Sequence, residues 1–528
     1  MNTELNNTIG SLVHSIYGIT GEPPFLEIEK RKVAGITLNH SDIKNDWIFV
    51  ALKGEKEHGL NYLKQVEANK PAAVLMDEDE QELLGELDIS KSDSSNIAYY
   101  KNTPVIMISN LRNRLSDLGN KFYSHNNLQW IGITGTNGKS SIAHMLGQSL
   151  SHLGHKTAVV GSVYNGFPST YKSTYKSTDK STDKDQQEHM MDSSLTTPDI
   201  LTLCRYASEF KKQGAEYVAL ECSSHALSQG RTDGLNLVCG VFTNLTMDHT
   251  DYHANMEEYA ASKYRLFGYP ELEYAVINYD DPIGVKWYDQ LRSDKKCLSY
   301  GSPKADIFAE DINIGKDSTS FNVHSPQGKG MLNISTCSLW GVDNALATLG
   351  VLLHLGYKLN DSLDAISESA PLAGRMQKVP FIDRADFIID YAHSPDALMR
   401  TLQSARHQLD EGGELWIVFG CGGNRDTDKR GTMGKIADEY ADRIILTNDN
   451  PRYEDAAIII NEIMQGIKKN KSIIIQDRGA AIQHAFINAK PNDLVLVAGK
   501  GHESHQDIMG EKRQFNDYEF VAHQLNYS

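Results

Sequence analysis

The sequence lacks most of what would tie a chain to a membrane, a disulfide framework or a nucleic acid. Its six cysteines (Cys204, Cys222, Cys239, Cys297, Cys337 and Cys421) are scattered, with no Cys-x-x-Cys pair. A disulfide scaffold and a cysteine-bound zinc are therefore disfavoured, and a reducing compartment is expected. No apolar run approaches the roughly 20 residues that span a bilayer. The opening Met-Asn-Thr-Glu-Leu-Asn-Asn has neither the basic region nor the apolar core of a signal peptide. A cytoplasmic protein without a membrane span is expected. Positive charge is also in deficit: 52 Lys and Arg against 69 Asp and Glu leave −17. That balance speaks against nucleic acid as a partner and for small-molecule substrates.

What is present fits an ordinary globular chain, 40% apolar and 23% charged, and 528 residues predict about three domains. The most informative stretch is Ile131-Gly-Ile-Thr-Gly-Thr-Asn-Gly-Lys-Ser140, a short apolar strand, a Gly-rich turn and the start of a helix. Glycines let backbone N–H groups close around phosphate oxygens, and a helix N-terminus favours negative charge. Lys139 then reaches the phosphates, and the Ser140 hydroxyl can bind Mg²⁺. Ile133 stands where the standard loop has a glycine, so the loop is a variant.

Before this loop, Trp47–Leu52, Ala72–Met76 and Pro104–Ile108 read as buried parallel strands, and Leu111–Tyr123 as a helix. After it, four tandem tetrapeptides (Ser-Thr-Tyr-Lys twice, Ser-Thr-Asp-Lys twice) occupy 169–184. They are too polar to bury and predict an exposed loop, either a slippage expansion or a docking site. Leu195-Thr-Thr-Pro-Asp199 opens a helix, its hydroxyls serving as caps or as substrate contacts. Tyr217–Glu221 is a strand ending in a carboxylate, at the edge where open α/β sheets bind ligands; Glu221 is a Mg²⁺ ligand or a salt-bridged terminus. Val241–His253 is a strand running into Asp248, His249, Asp251 and His253, a density that favours metal or phosphate chemistry over structural histidines. Lys263, on a helix expected over Met256–Phe267, reads by itself as a surface lysine. Four later strands beginning at Phe387, Leu415, Arg443 and Leu494 each deliver charged residues to one sheet edge.

Taken in order, these pieces resemble the Mur ligase family. The resemblance rests on Gly-Thr-Asn-Gly-Lys-Ser (135–140), Thr-Thr-Pro-Asp (196–199), Glu-Cys-Ser-Ser-His-Ala-Leu (221–227) and Gln-Gly-Arg (229–231). It continues through Thr243–His253, Gly-Arg-Met (374–376), Asp-Tyr-Ala-His-Ser-Pro-Asp-Ala-Leu (390–398) and Gly-Cys-Gly-Gly-Asn-Arg-Asp (420–426). Asp-Asn-Pro-Arg (449–452) and Ala-Gly-Lys-Gly-His-Glu (498–503) complete it.

The resemblance implies an α/β chain of three domains: an N-terminal UDP-sugar domain (1–127), a central P-loop ATPase-type parallel sheet (128–372) and a C-terminal Rossmann-like domain (373–528). It implies that ATP phosphorylates a carboxylate and that an amine attacks the acyl phosphate. By resemblance, Gly135, Thr136, Asn137, Gly138, Lys139, Ser140, Ser141, Asn344, Arg375, Asp390, Tyr391 and His393 contact ATP. Ser140 and Glu221 would bind one Mg²⁺, and His249 with a carbamylated Lys263 a second, so Lys139, His249 and Lys263 carry the chemistry. Thr196, Thr197, Ser223, Gln229 and Arg231 correspond to contacts with UDP-N-acetylmuramoyl-L-Ala-D-Glu. Arg425, Asp449, Asn450, Pro451, Arg452, Gly499 and Glu503 correspond to contacts with meso-diaminopimelate, a monomeric enzyme being expected. A guanidinium grips a carboxylate with two charge-assisted bonds, so Arg452 would select diaminopimelate over lysine, which lacks that carboxylate.

The chain departs from the family pattern in places. Asn39-His40-Ser41 and Asn45-Asp46-Trp47 replace the usual uridine-side triplets, so no UDP contact carries over. Gly341 replaces the first adenine-side asparagine, Met247 a frequent basic residue and Asn424 an aspartate. Two other readings stay open on sequence: a paralogue with a different carboxylate acceptor, and a non-catalytic nucleotide-binding scaffold.

Overall fold

The computed structural model describes residues 7–17, 23–54, 57–86, 89–91, 96–123, 128–168, 195–247, 252–468 and 472–524. The tandem tetrapeptides, and Asp248, His249 and Asp251, lie outside the described residues. The chain falls into two compact units. One takes the residues up to 128 together with 198–216 and 229–236; the other takes 129–197, 217–228 and 237 onward.

The first unit is built on a six-stranded sheet. Its order is Gly35–Thr37, Trp47–Ala51, Ala73–Asp77, Thr103–Ile108, Ile97–Tyr100, Ser90–Lys91. The first four strands are parallel, as the unbroken apolar runs at 47, 72 and 104 lead one to expect of strands covered on both faces. The helix expected from Leu111 begins as a 3₁₀ turn over Arg112–Arg114 and continues as an α-helix over Leu115–Phe122. Its Leu115, Leu118 and Phe122 are buried, the i, i+3, i+7 spacing of one helix face. It packs on the helix Ile200–Lys212 so closely that a Cβ on Gly119 would lie 2.7 Å from Cys204 Sγ.

The second unit holds two larger sheets. The central one has ten strands, ordered Gly328–Ile334, Thr319–Ser325, Ile307–Ile314, Lys296–Gly301, Tyr274–Asn278, Leu237–Phe242, Gln129–Thr134, Tyr217–Glu221, Thr157–Val160, Asn165–Gly166. Seven adjacent strands, from Ile307–Ile314 to Thr157–Val160, run parallel, so their carboxyl ends share an edge. The helices Lys139–His152 and Leu339–His354 cover it. Leu339–His354 is buried almost all round, which is why its sequence lacks a polar stripe.

The third sheet is ordered Gln377–Val379, Asp386–Asp390, Leu494–Ala498, Leu415–Phe419, Arg443–Leu446, Ser472–Ile474. The four strands expected from the sequence are all parallel here and end at one edge. Behind that edge Arg478 and Asp517, both fully buried, form a two-point ion pair (2.6 and 2.7 Å). Removing either partner would strand a buried charge, at a cost of about 3–5 kcal/mol.

Two expectations need correction. The helix from Met256 ends at Tyr264, where the chain tightens into a 3₁₀ turn over Arg265–Gly268. Lys263 is not a surface residue: it is 1% exposed. All six cysteines are free thiols.

His354, at the end of its helix, stacks on Tyr274 and shares a hydrogen bond with the Ala275 carbonyl. Burial lowers its pKa from 6.5 to about 4. The unfolded chain therefore takes up a proton that the folded chain refuses, and stability present above pH 6.5 is lost as pH falls toward 4. His354→Gln is expected to reduce the loss of unfolding free energy between neutral pH and pH 4 by up to about 3 kcal/mol, read from denaturant midpoints.

Candidate active site

The phosphate loop joins the strand Gln129–Thr134 to the helix Lys139–His152. Gly135 (φ +143°) and Gly138 (φ +91°) take backbone conformations that side chains disfavour. Gly135 is also pressed against Thr243, whose Oγ1 would lie 1.8 Å from a Cβ there. The loop is braced by the segment after Leu237–Phe242. Asn137 N–H donates to Asn244 Oδ1 (2.9 Å), Thr243 Oγ1 donates to the Asn137 carbonyl (2.6 Å), and Thr136 N–H donates to the Asn244 carbonyl (2.8 Å). Two ammonium groups converge on one carbonyl: Lys139 Nζ (2.9 Å) and Lys263 Nζ (2.8 Å) both donate to Gly135 O. Lys263 also sits 4.4 Å over the Tyr259 ring. Two cations beside a turn of backbone N–H groups make a strong anion site.

Glu221 ends the strand next to the loop and is 2% exposed. Its Oε2 accepts from Ser140 Oγ (2.9 Å), and its Oε1 from Ser162 N–H (2.8 Å) and Ser162 Oγ (3.2 Å). Gly161 lies so close that a Cβ would stand 2.0 Å from Oε1. A hydroxyl and a buried carboxylate side by side are hard oxygen donors, which suit Mg²⁺ with water and phosphate oxygens completing its shell. Among the described residues no group of three or more His, Cys, Asp or Glu side chains is placed to hold a metal by itself. His249 lies outside the described residues. His253 is buried among the rings of Tyr252, Tyr259 and His225.

A cleft of about 910 Å³, open mouth included, lies beside the loop. Asn137, Gly138, Ser141, Asn344, Arg375, Asp390, Tyr391 and His393, all among the residues expected to contact ATP, line it. Arg375 reaches Ser140 Oγ (3.4 Å) and lies 4.6 Å over the Tyr391 ring. The Asp390 carboxylate accepts from Met376 N–H and Ala392 N–H (both 2.8 Å) and from Thr401 Oγ1 (3.3 Å). Burial raises its pKa, Arg375 and these donors opposing the rise. Asp390 thus holds the backbone that carries Arg375 and Tyr391. Burial pushes the Tyr391 hydroxyl up to about 12, so it stays protonated. Where the family has an asparagine, a Cβ on Gly341 would meet Thr336 and Ile334 at 3.0 Å; Thr336 occupies that wall of the cleft.

At the edge of the third sheet the expected amino-acid contacts gather on three loops. Asn450 Nδ2 donates to Glu503 Oε2 (2.8 Å), and Arg452 Nη1 to the Gly423 carbonyl (2.6 Å). Arg452 has φ +51°, held by Arg452 N–H to Asp507 O (2.9 Å) and Met509 N–H to Arg452 O (2.7 Å). Asp449 is buried, which raises its pKa, Arg478 and Lys500 opposing the rise; a Cβ on Gly499 would lie 2.4 Å from its Oδ2. Pro451 is buried, and Arg425 is exposed on the glycine turn. Asn424 keeps the turn in shape, its Oδ1 accepting from Tyr453 N–H (3.0 Å).

Thr197 is buried, donating to the Glu221 carbonyl (2.6 Å) and accepting from Ser223 N–H (3.0 Å), so it braces the end of Glu221's strand; Thr196 is half-buried beside it. The helix cap is Asp199, which accepts from Leu201 and Thr202 N–H. Gln229 and Arg231, in the first unit, bond to each other (2.9 Å). Sequence reasoning missed Gly161, Ser162 and Lys500. The first two follow the strand Thr157–Val160, and the strand-end rule used for Glu221 would have pointed to them.

Residues 133–352 match the family model of the Mur ligase middle domain, and 374–501 that of the Mur ligase glutamate ligase domain. The chain belongs to the Mur ligase family. It is 37% identical over 498 residues to the UDP-N-acetylmuramoyl-L-alanyl-D-glutamate--2,6-diaminopimelate ligase of Neisseria meningitidis serogroup A, covering 92% of this chain and 94% of that one. The Haemophilus influenzae ligase of the same name is 36% identical, covering 92% and 95%. A solved structure of a ligase of that name aligns over 99% of both chains with a TM-score of 0.63 and 28% identity. MurF from Acinetobacter baumannii (TM-score 0.66, 16% identity) shares the fold. No helix among the described residues is long and apolar enough to cross a membrane.

For this Mur ligase, Gly161→Ala would drive a methyl into the Glu221 carboxylate. The Mg²⁺ concentration for half-maximal phosphate release is expected to rise about tenfold or more, with the circular dichroism spectrum unchanged.

Proposed function

We propose that the protein is an ATP-dependent ligase that adds meso-2,6-diaminopimelate to the D-Glu carboxylate of UDP-N-acetylmuramoyl-L-Ala-D-Glu, in the synthesis of peptidoglycan precursors. The observation that carries this reading is the similarity, over more than nine-tenths of the chain, to ligases of that name. Residues 1–127 would take the UDP-sugar, 128–372 ATP and 373–528 the amino acid.

The site geometry supports the chemistry. A carboxylate is a poor electrophile, and transfer of the γ-phosphoryl group to it supplies a leaving group. The amine then attacks the acyl carbon, loses a proton, and expels inorganic phosphate. Little of this needs covalent help from the protein, which must position anions and neutralise charge. Lys139 and the loop N–H groups would meet the phosphates, with Arg375 beside Ser140. Mg²⁺, when bound, supplies charge neutralisation on the phosphate oxygens, and Ser140 and Glu221 would hold it. Glu503 and Asn450 suit the zwitterionic end of the amino acid, and Arg452 its distal carboxylate.

Lys263 belongs to the same reading as a carbamate. The nitrogen is out of water and beside the phosphate loop, where a carbamate would add oxygen ligands for a second cation. Phosphate release in CO₂-depleted buffer is expected to rise on adding bicarbonate, and Lys263→Arg is expected to be inactive and unresponsive. Equal rates with and without bicarbonate would remove the carbamate.

The defining assay is phosphate release with ATP, Mg²⁺, the UDP-dipeptide and either diaminopimelate or L-lysine, each omitted in turn. Release is expected to need every component and to be poor with lysine. Arg452→Ala should lower kcat/KM for diaminopimelate about 100-fold or more and narrow its advantage over lysine. Diaminopimelate binding without any response to the UDP-dipeptide would mean another carboxylate acceptor.

A further inference from the structure

We propose that Lys500 is a positioning residue for the incoming amino acid: its buried ammonium fixes Asn450 and one oxygen of Glu503, leaving Glu503 Oε1 to take the substrate's ammonium group. The proposal rests on reading Glu503 and Arg452 as the amino-acid site.

The Lys500 side chain has no solvent exposure. Its Nζ donates to Glu503 Oε2 (2.8 Å), the His505 carbonyl (2.6 Å) and Asn450 Oδ1 (3.3 Å). An ammonium has three protons, and all three are used, so Lys500 has none left for a substrate. The three acceptors lie on three pieces of chain. These are the loop after Leu494–Ala498, the loop after Arg443–Leu446 and the strand His505–Ile508.

The tripod also decides which way Asn450 points. Asn450 Oδ1 accepts from both Lys500 Nζ and Asp507 N–H (3.0 Å), so the amide nitrogen must face Glu503, where it donates to Oε2. Among the described residues, both donors to this carboxylate therefore sit on Oε2. Burial by itself would raise the Glu503 pKa, but Lys500, by charge and hydrogen bond, with Asn450 and His502, holds it below the usual value. Asp449, Arg478 and Tyr391 are the other titratable groups facing it. Without Lys500 the Asn450 amide keeps its orientation through Asp507 N–H but loses one of the two donors to Oδ1, and Glu503 is left buried without its counter-charge.

The test uses the full chain carrying Lys500→Met, Lys500→Arg, Glu503→Gln or Lys500→Met with Glu503→Gln. KM for diaminopimelate is expected to rise about 10–100-fold in Lys500→Met, the range for losing a charge-assisted bond. KM for ATP and for the UDP-dipeptide should stay within about twofold, and kcat should fall far less than KM rises. In Lys500→Met, KM for diaminopimelate should climb further as pH is lowered toward the carboxylate range, while the wild type stays flat. Lys500→Arg keeps the charge and should show a smaller rise. The double variant should be little worse than either single one, because the two residues act as a unit.

ADP binding by calorimetry and the thermal midpoint report folding. If Lys500→Met does not fold, Lys500→Arg must still raise KM for diaminopimelate alone. An unmoved KM for diaminopimelate, or a matched loss in every kinetic parameter with a lowered thermal midpoint, would overturn the proposal. Wild-type release that ignores diaminopimelate would defeat the substrate reading and this proposal together. Diaminopimelate-dependent wild-type release with unmoved variants would defeat this proposal only.

Discussion

A carboxylate taken out of water must recover its hydrogen bonds from the protein or its charge from a cation. Glu221 meets the first condition through Ser140 and Ser162, and that small arrangement ties the centre of the molecule together. Ser140 opens the helix of the phosphate loop. Ser162 follows the next strand but one, and Glu221 ends the strand between them. The third sheet touches the same two serines: Arg375 reaches Ser140 Oγ, and His502 shares a hydrogen bond with the Ser162 carbonyl (3.2 Å). Gly374 makes this meeting possible, for a Cβ there would lie 2.2 Å from the His502 backbone nitrogen. The phosphate loop, the proposed cation ligands and the proposed amino-acid loop are thus aligned on one buried anion.

Much of the site was legible because strands in open α/β sheets announce their ends. An apolar run that stops at Glu221 or Asp390 marks the sheet edge where ligands are expected, and each residue ends a strand at that edge. The glycines of the phosphate loop were legible for a related reason, since Lys139 and Ser140 give the turn its chemistry. Lys263 was legible only through the family resemblance. On a helix of weak amphipathicity one lysine resembles another, and only the fold shows that this one turns inward to Gly135. Lys500 was hidden differently. It stands inside Ala-Gly-Lys-Gly-His-Glu (498–503), but its use depends on Asn450 and His505, one of them fifty residues away along the chain. The departure at Gly341 was visible as a change of letter; that Thr336 and Ile334 fill the space is a packing fact.

Charge is arranged in layers behind the third sheet's edge. Arg478 and Asp517 neutralise each other in the interior, and Arg478 also donates to the Ala498 carbonyl (3.0 Å), at the end of a strand. In front of them Lys500 balances Glu503, and outermost Arg430, 1% exposed, is held by Glu454 (2.8 Å) and Glu462 (2.6 Å). Arg430 also donates to the Gly422 carbonyl (3.2 Å), so the glycine turn under Arg452 is anchored from below.

The left-handed backbone at Arg452 has a consequence for how such a pocket can change over evolutionary time. A non-glycine residue at φ +51° persists only because neighbouring structure enforces it, here the two main-chain bonds to Asp507 and Met509. The side chain's aim is therefore inherited from the segment that carries Asp507 and Met509 as well as from the residue. A lineage that exchanged the arginine alone would keep a cavity shaped for the old ligand. Acceptance of a different amino acid is expected to require coordinated drift in both segments, which makes the preference a slowly evolving trait.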